Sequence, residues 1–187
     1  MLGAIIGDIV GSRFEFHNHR DEEFEMFDKS CFFTDDTVLT FATFYALKSS
    51  IPFYEAYKKF FRLYPNKGFG GRFRFWASSN DLNPYYSFGN GSAMRISPIG
   101  FLFNDLSEVL KNAELSASST HNHPEGIKGA MATAHAIFLS RNHIPKVEIQ
   151  KEIEDNYGYN LNFNSEELRR SYKFNDTCHE TVPQAIF

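Results

Sequence analysis

The chain has 187 residues, enough for one domain with a sizeable core. Its net charge of −4 and pI near 6.0 leave no basic footprint for nucleic acid and no polybasic patch for a membrane surface. Charged residues at 22% and apolar ones at 42% exclude global disorder, and two cysteines are too few for a disulfide framework or a zinc motif, which points to a reduced, cytoplasmic setting.

In chain order, Leu2, Ile5, Ile6 and Ile9 mark one apolar face, with Gly3, Gly7 and Gly11 at every fourth position. That spacing predicts a central, tightly packed helix; the segment is too short to span a bilayer and carries Asp8 in its middle. Residues 12–33 have no clear period and read as a loop over the surface or the site. Val38, Phe41, Ala42 and Tyr45 begin a second helix. Phe53, Ala56, Tyr57, Phe60, Phe61 and Tyr64 give a third, with Lys58, Lys59 and Arg62 turned outward. Residues 66–71 are Gly-rich and break it.

Further helices are predicted around Leu106, Val109, Leu110 and Ala113, and from Pro124, a first-turn proline, through Phe138. A weaker pattern covers 146–157, and the polar stretch 158–176 reads as a loop. No sustained alternating strand, linker or repeat is present, so the expected class is all-α. The 21 Phe imply a core of large rings, or one that expects more chain to cover it.

Three segments look chemical. Thr34-Asp35-Asp36-Thr37 opens the second helix with two carboxylates and a hydroxyl, a hard oxygen cluster of the kind that binds Mg²⁺ or Mn²⁺. The same tetrad has an ordinary structural use, since Thr is a good N-cap and acidic residues favour the positive end of the helix dipole. Phe88 to Arg95 is rich in small residues whose N–H groups can face an anion; its Asn90-Gly91 pair is equally a common turn dipeptide. Ser119 to Pro124 joins two helix ends and carries His121 and His123, suited to capping or to a substrate contact. His135 reads as part of a packed helix face.

Taken in order, these segments resemble the ADP-ribosylglycohydrolase family. The resemblance rests on Gly3-Ala4-Ile5-Ile6-Gly7-Asp8 with Gly11 and Glu15, then Thr34-Asp35-Asp36-Thr37. Gly89-Asn90-Gly91-Ser92-Ala93-Met94-Arg95 with Pro98 and Gly100 follows, then Ser116-Ala117 and Thr120-His121. It implies an all-helical bundle around a pair of Mg²⁺ or Mn²⁺ ions that removes ADP-ribose from a modified protein or other ADP-ribose derivative. By motif, Thr34, Asp35 and Asp36 would be metal ligands, and Asp36 or Glu15 would handle the proton. Gly89, Asn90, Gly91, Ser92, Met94 and Arg95 would cradle the ADP-ribose, with His121 in contact with it.

The family's second metal half, a Gly-Asp-x-Asp-Thr-type motif, has no match here, and the chain stops at Ile186-Phe187 after a short helical start at Pro183. The expectation is therefore one domain over 1–187, incomplete at its C-terminal end. Exposed apolar surface would then favour homo-oligomers. Such a chain either retains turnover with help, or binds ADP-ribose or serves a structural role without it.

Overall fold

Ten α-helices and no strand make up the computed structural model, which describes residues 1–187. The one β-type contact is an isolated antiparallel bridge between Gly89 and Thr177. Helices α1 (Leu2–Gly11), α2 (Asp35–Ser49), α3 (Phe53–Leu63) and α4 (Gly71–Ser78) come first. A 3₁₀ turn at Asn90–Ser92 separates them from α5 (Ser97–Leu102), α6 (Leu106–Ser118) and α7 (Pro124–Arg141). Helices α8 (Lys146–Tyr157), α9 (Ser165–Ser171) and α10 (Cys178–Ile186) complete the chain. No helix is long and apolar enough to cross a membrane.

Local chemistry sets the helix ends. The Thr34 side chain accepts from the Asp36 N–H at 3.3 Å and caps α2, while Asp35 and Asp36 occupy its first turn. Asp105 caps α6 through the N–H groups of Ser107 and Glu108. His123 Nδ1 accepts from the Glu125 N–H at 3.1 Å, so this histidine is the cap of α7, with Pro124 in the first helical position.

Packing forms three cores. The first joins α2, α3 and α4 through Leu39, Tyr57, Phe61, Phe69, Phe73 and Trp76, the core of large rings that the composition predicts. The second joins α5, α6 and α7 through Ile96, Ile99, Val109 and four alanines, Ala113 and Ala117 of α6 and Ala130 and Ala134 of α7. The third brings α7 against α8, α10 and residues 159–161. Helix α7, touching α5, α6, α8 and α10, is thus the central helix.

The glycine stripe of α1 misleads on this point. No residue of α1 is buried, nothing lies within 4 Å of a β-carbon built on Gly3, Gly7 or Gly11, and Leu2 is 73% exposed. Close approach is permitted by glycine but requires a partner, and α1 packs chiefly on α2. Lys58 is also not turned outward. Its stem is buried, its Nζ donates to the carbonyls of Trp76 and Ser79 at 2.8 Å each, and it lies over the Trp76 ring. Those carbonyls close α4, a helix hidden in the sequence by its short length and glycine start. The polar stretch 158–176 contains α9, and α10 begins at Cys178, so Pro183 lies inside it rather than opening it.

Candidate functional site

Asp8 ties α1 to the start of α2. Its Oδ2 accepts from the backbone N–H of Thr34 at 2.8 Å and of Thr37 at 3.2 Å, and its Oδ1 accepts from the Thr34 hydroxyl. Two free helix-start donors are satisfied by one carboxylate at the positive end of the dipole. The Thr34 proton is thereby directed to Asp8, and its oxygen faces Asp36, whose Oδ2 lies 3.4 Å away. The capping use and the oxygen-cluster use of this tetrad are compatible in one geometry.

The carboxylates beside this junction are crowded. Burial, then the neighbouring charge of Asp36, pushes the Asp35 carboxyl up to about 8. Burial, then Asp8 and Glu15, pushes Asp36 up to about 6. Glu15, at the exposed rim, is raised by desolvation and by Asp8. No lysine, arginine or histidine forms an ion pair with any of the four. Gly68, held at φ +91°, brings its backbone against Asp35: a β-carbon there would stand 3.1 Å from Oδ1 in a conformation that side chains rarely adopt.

The Gly89–Gly91 segment forms the opposite wall. It is anchored from behind by residues preceding and opening α10: the Asn90 N–H donates to the Asp176 carbonyl at 2.7 Å, and the Cys178 thiol donates to the Gly89 carbonyl at 3.1 Å. His121 packs its ring against Gly91. Burial, then Arg95 and Arg72, holds the His121 pKa well below its ordinary value, so the imidazole is neutral at pH 7. Tyr85, its hydroxyl pushed up to about 12 by burial, stands edge-on to His121.

One cleft of about 1070 Å³ is lined by both walls. Glu15, Thr34, Asp35 and Asp36 line it, as do Gly89, Asn90, Gly91, Met94, Arg95 and His121. Of the residues assigned to metal, proton or ADP-ribose by motif, Ser92 does not: it is fully buried and its hydroxyl donates to the Gly126 carbonyl at 2.7 Å. Arg95 reaches the lining yet is itself fully buried, with Nη2 donating to the Ser116 carbonyl and to Thr120 Oγ1, both at 2.8 Å. Its guanidinium lies 4.0 Å over the Tyr57 ring and pairs with no carboxylate. Sequence reasoning assigned no role to Asp8, Arg72, Tyr85 or Thr120. Asp8 carried a signal as the one charge inside an apolar glycine-spaced run, and Thr120 as part of the Thr120-His121 pair.

The donor set suits a hard divalent cation: carboxylates whose charge is disfavoured first by burial and then by one another, with no cationic side chain to neutralise them. The fit is partial, because no three His, Cys, Asp or Glu side chains gather closely enough to hold an ion by themselves. Thr34, Asp35 and Asp36 would hold one with water completing the shell, as Mg²⁺ tolerates.

Comparison with known proteins agrees with the motif reading. The family model for ADP-ribosylglycohydrolase matches residues 1–183. ADP-ribosylhydrolase ARH3 of Homo sapiens is 26% identical over 175 aligned residues, covering 75% of this chain and 48% of the human protein. The Gallus gallus ARH3 is 32% identical over 127 residues, covering 58% of this chain and 35% of that protein. The chain spans about half the length of the curated relatives it matches.

Proposed function

The chain belongs to the ADP-ribosylglycohydrolase family, and from that premise we propose that it is a metal-dependent hydrolase cleaving the glycosidic bond between ADP-ribose and a protein side chain or other acceptor. The observation that carries this reading is the meeting, in one cleft, of an unneutralised carboxylate cluster and the Gly89–Gly91 wall backed by His121. A phosphate-bearing ribose spans those two chemistries: anionic oxygens at the glycine wall beside His121, ribose hydroxyls and the scissile bond at the carboxylates. The Gly89 and Asn90 N–H groups of that wall are already given to Ser87 Oγ and the Asp176 carbonyl.

Glycosidic cleavage passes through an oxocarbenium-like state, with water attacking and the leaving group taking a proton. Asp36, shifted to about 6, is near the pH at which a carboxyl can both accept and return a proton, and Glu15 at the rim is the other candidate for that step. Thr34, Asp35 and Asp36 would bind Mg²⁺ or Mn²⁺. Such a cation, when bound, supplies Lewis-acid polarisation of substrate oxygens and of water. Asp8 orients the cluster by fixing Thr34 and the start of α2.

One observation favours a second reading, an ADP-ribose-binding chain without turnover: the carboxylates present do not by themselves encircle an ion. ADP-ribosylated protein and a small ADP-ribose derivative, each incubated with the chain and Mg²⁺ or Mn²⁺, separate the two. Metal-dependent release of ADP-ribose that disappears in Asp35→Asn supports the hydrolase. Calorimetric binding of ADP-ribose with no release supports the second reading, and neither binding nor release overturns both.

A further inference from the structure

The least expected side chain in the molecule is Arg95, a fully buried guanidinium with no carboxylate beside it, whose Nε and Nη1 find no protein acceptor. Its bonds lead to His121. Guanidinium groups only donate, so Thr120 Oγ1, 2.8 Å from Nη2, is the acceptor of that bond. The same oxygen lies 2.8 Å from His121 Nδ1. Thr120 is 0% exposed, so its single proton cannot be given to solvent.

We propose that Thr120, aimed by Arg95, is a positioning residue that locks His121 in the Nε2–H tautomer, making it an obligate donor to an anionic oxygen of the ligand. The proton count gives the direction. If His121 Nδ1 carried the hydrogen and donated it to Thr120, the Thr120 hydroxyl would accept twice and its own proton would be stranded in a buried site, which costs the full desolvation of that donor. With Thr120 donating to Nδ1, the Thr120 hydroxyl and His121 Nδ1 are both satisfied, and a neutral imidazole must then carry its hydrogen on Nε2. The Tyr85 hydroxyl is the other polar group beside Thr120 and competes for its proton. The 2.8 Å contact to His121 Nδ1 is the bond formed, and Tyr85→Phe tests the competing acceptor.

The Nε2 edge has no protein partner and faces the glycine wall. β-Carbons on Gly91 and Gly89 would stand 3.0 Å and 3.7 Å from it. A group arranged in this way contributes one directed N–H without a charge, and discriminates for an acceptor oxygen such as that of a phosphoryl group. That ligand class rests on the function proposed above; the tautomer does not.

The test uses the full chain without ligand. Long-range ¹H–¹⁵N spectra of the imidazole nitrogens, assigned by comparison with His121→Asn, are expected to show His121 protonated at Nε2. Thr120→Val, which keeps the shape and removes the hydroxyl, is expected to give a mixed tautomer and to weaken ADP-ribose binding about tenfold by calorimetry. Thr120→Ser is expected to restore both readouts, and Tyr85→Phe to leave the tautomer unchanged. A wild-type spectrum with the proton on Nδ1 overturns the proposal without need of any variant, as does an unaltered tautomer in Thr120→Val. A spectrum showing Nε2–H in a chain that binds no ADP-ribose overturns the ligand class and the proposed function while leaving the tautomer lock standing.

Discussion

The ring of His121 lies so close to Gly91 that a β-carbon there would stand 3.0 Å from Nε2 and 3.1 Å from Cε1. The glycine is needed for this approach and not for a left-handed backbone, since Gly91 is absent from the positive-φ positions. His121 is held from its other edge by Thr120, so the ring cannot retreat without breaking that bond. Gly91→Ala should therefore displace the ring by a few tenths of an ångström. We expect a loss of ADP-ribose affinity of about tenfold, worth about 1.4 kcal/mol, with little change in melting temperature. Calorimetry and a thermal melt on the same variant check both halves.

Asp35→Asn and Asp36→Asn each remove a charge that the fold disfavours, as the upward shifts to about 8 and about 6 indicate. Without added metal, each variant is expected to melt a few degrees above the parent chain. Each is expected to lose metal binding, and any ADP-ribose release should fall by at least about 100-fold. Opposite signs for stability and activity are the diagnostic result. A variant destabilised in chelator would show that these carboxylates serve the fold.

The same shifts set a pH dependence. Both carboxyls have folded values above their ordinary 3.8. Their contribution is fully present below 3.8 and is lost as pH rises through about 6 and then about 8. His121 acts in the opposite sense: its folded value is depressed below 6.5, so its contribution is present above 6.5 and lost as pH falls. Between pH 6.5 and 8 the Asp35 effect, the large one, is opposed by the Met1 amino group, whose value burial lowers from 8.0, and the metal-free chain should lose stability across that window. Denaturant titrations at a series of pH values should show the decline in the parent and a flatter profile in Asp35→Asn.

Tyr57 joins two helices through hydroxyls. Its OH lies 3.1 Å from Thr43 Oγ1 and 2.7 Å from Ser116 Oγ, all three buried, and its ring carries the Arg95 guanidinium. Tyr57→Phe keeps the ring and strands the buried Ser116 hydroxyl, while Thr43 keeps its bond to the Leu39 carbonyl at 2.9 Å, so a loss of about 1–3 kcal/mol is expected. Metal binding should be unaffected, because the bond network lies behind the cleft wall. Chemical denaturation with parallel metal calorimetry tests the separation.

The sequence by itself determined the helical class, the starts of α2 and α7, and the two segments that form the cleft walls. Those features are local: an apolar period of 3.6, a capping side chain, a first-turn proline and short motifs whose chemistry is carried by adjacent residues. It did not determine where the elements sit. The glycine stripe of α1 satisfies the spacing of a central helix, yet α7, with its buried alanines, holds that place, because packing depends on which partner arrives. Lys58 reads as a solvent-facing cation and is instead the cap of α4, since two carbonyls 18 and 21 residues away can satisfy a buried ammonium.

Within the cleft the division is similar. Thr34, Asp35, Asp36 and the Gly89–Gly91 wall were legible as oxygen donors and small residues. That Asp8 holds Thr34, that Ser92 turns away to Gly126, and that Arg95 acts on His121 through Thr120 were decided only by the tertiary structure. Hydrogen bonds between residues far apart in the chain leave no periodic trace, and the direction of a buried proton follows from counting every donor and acceptor around it.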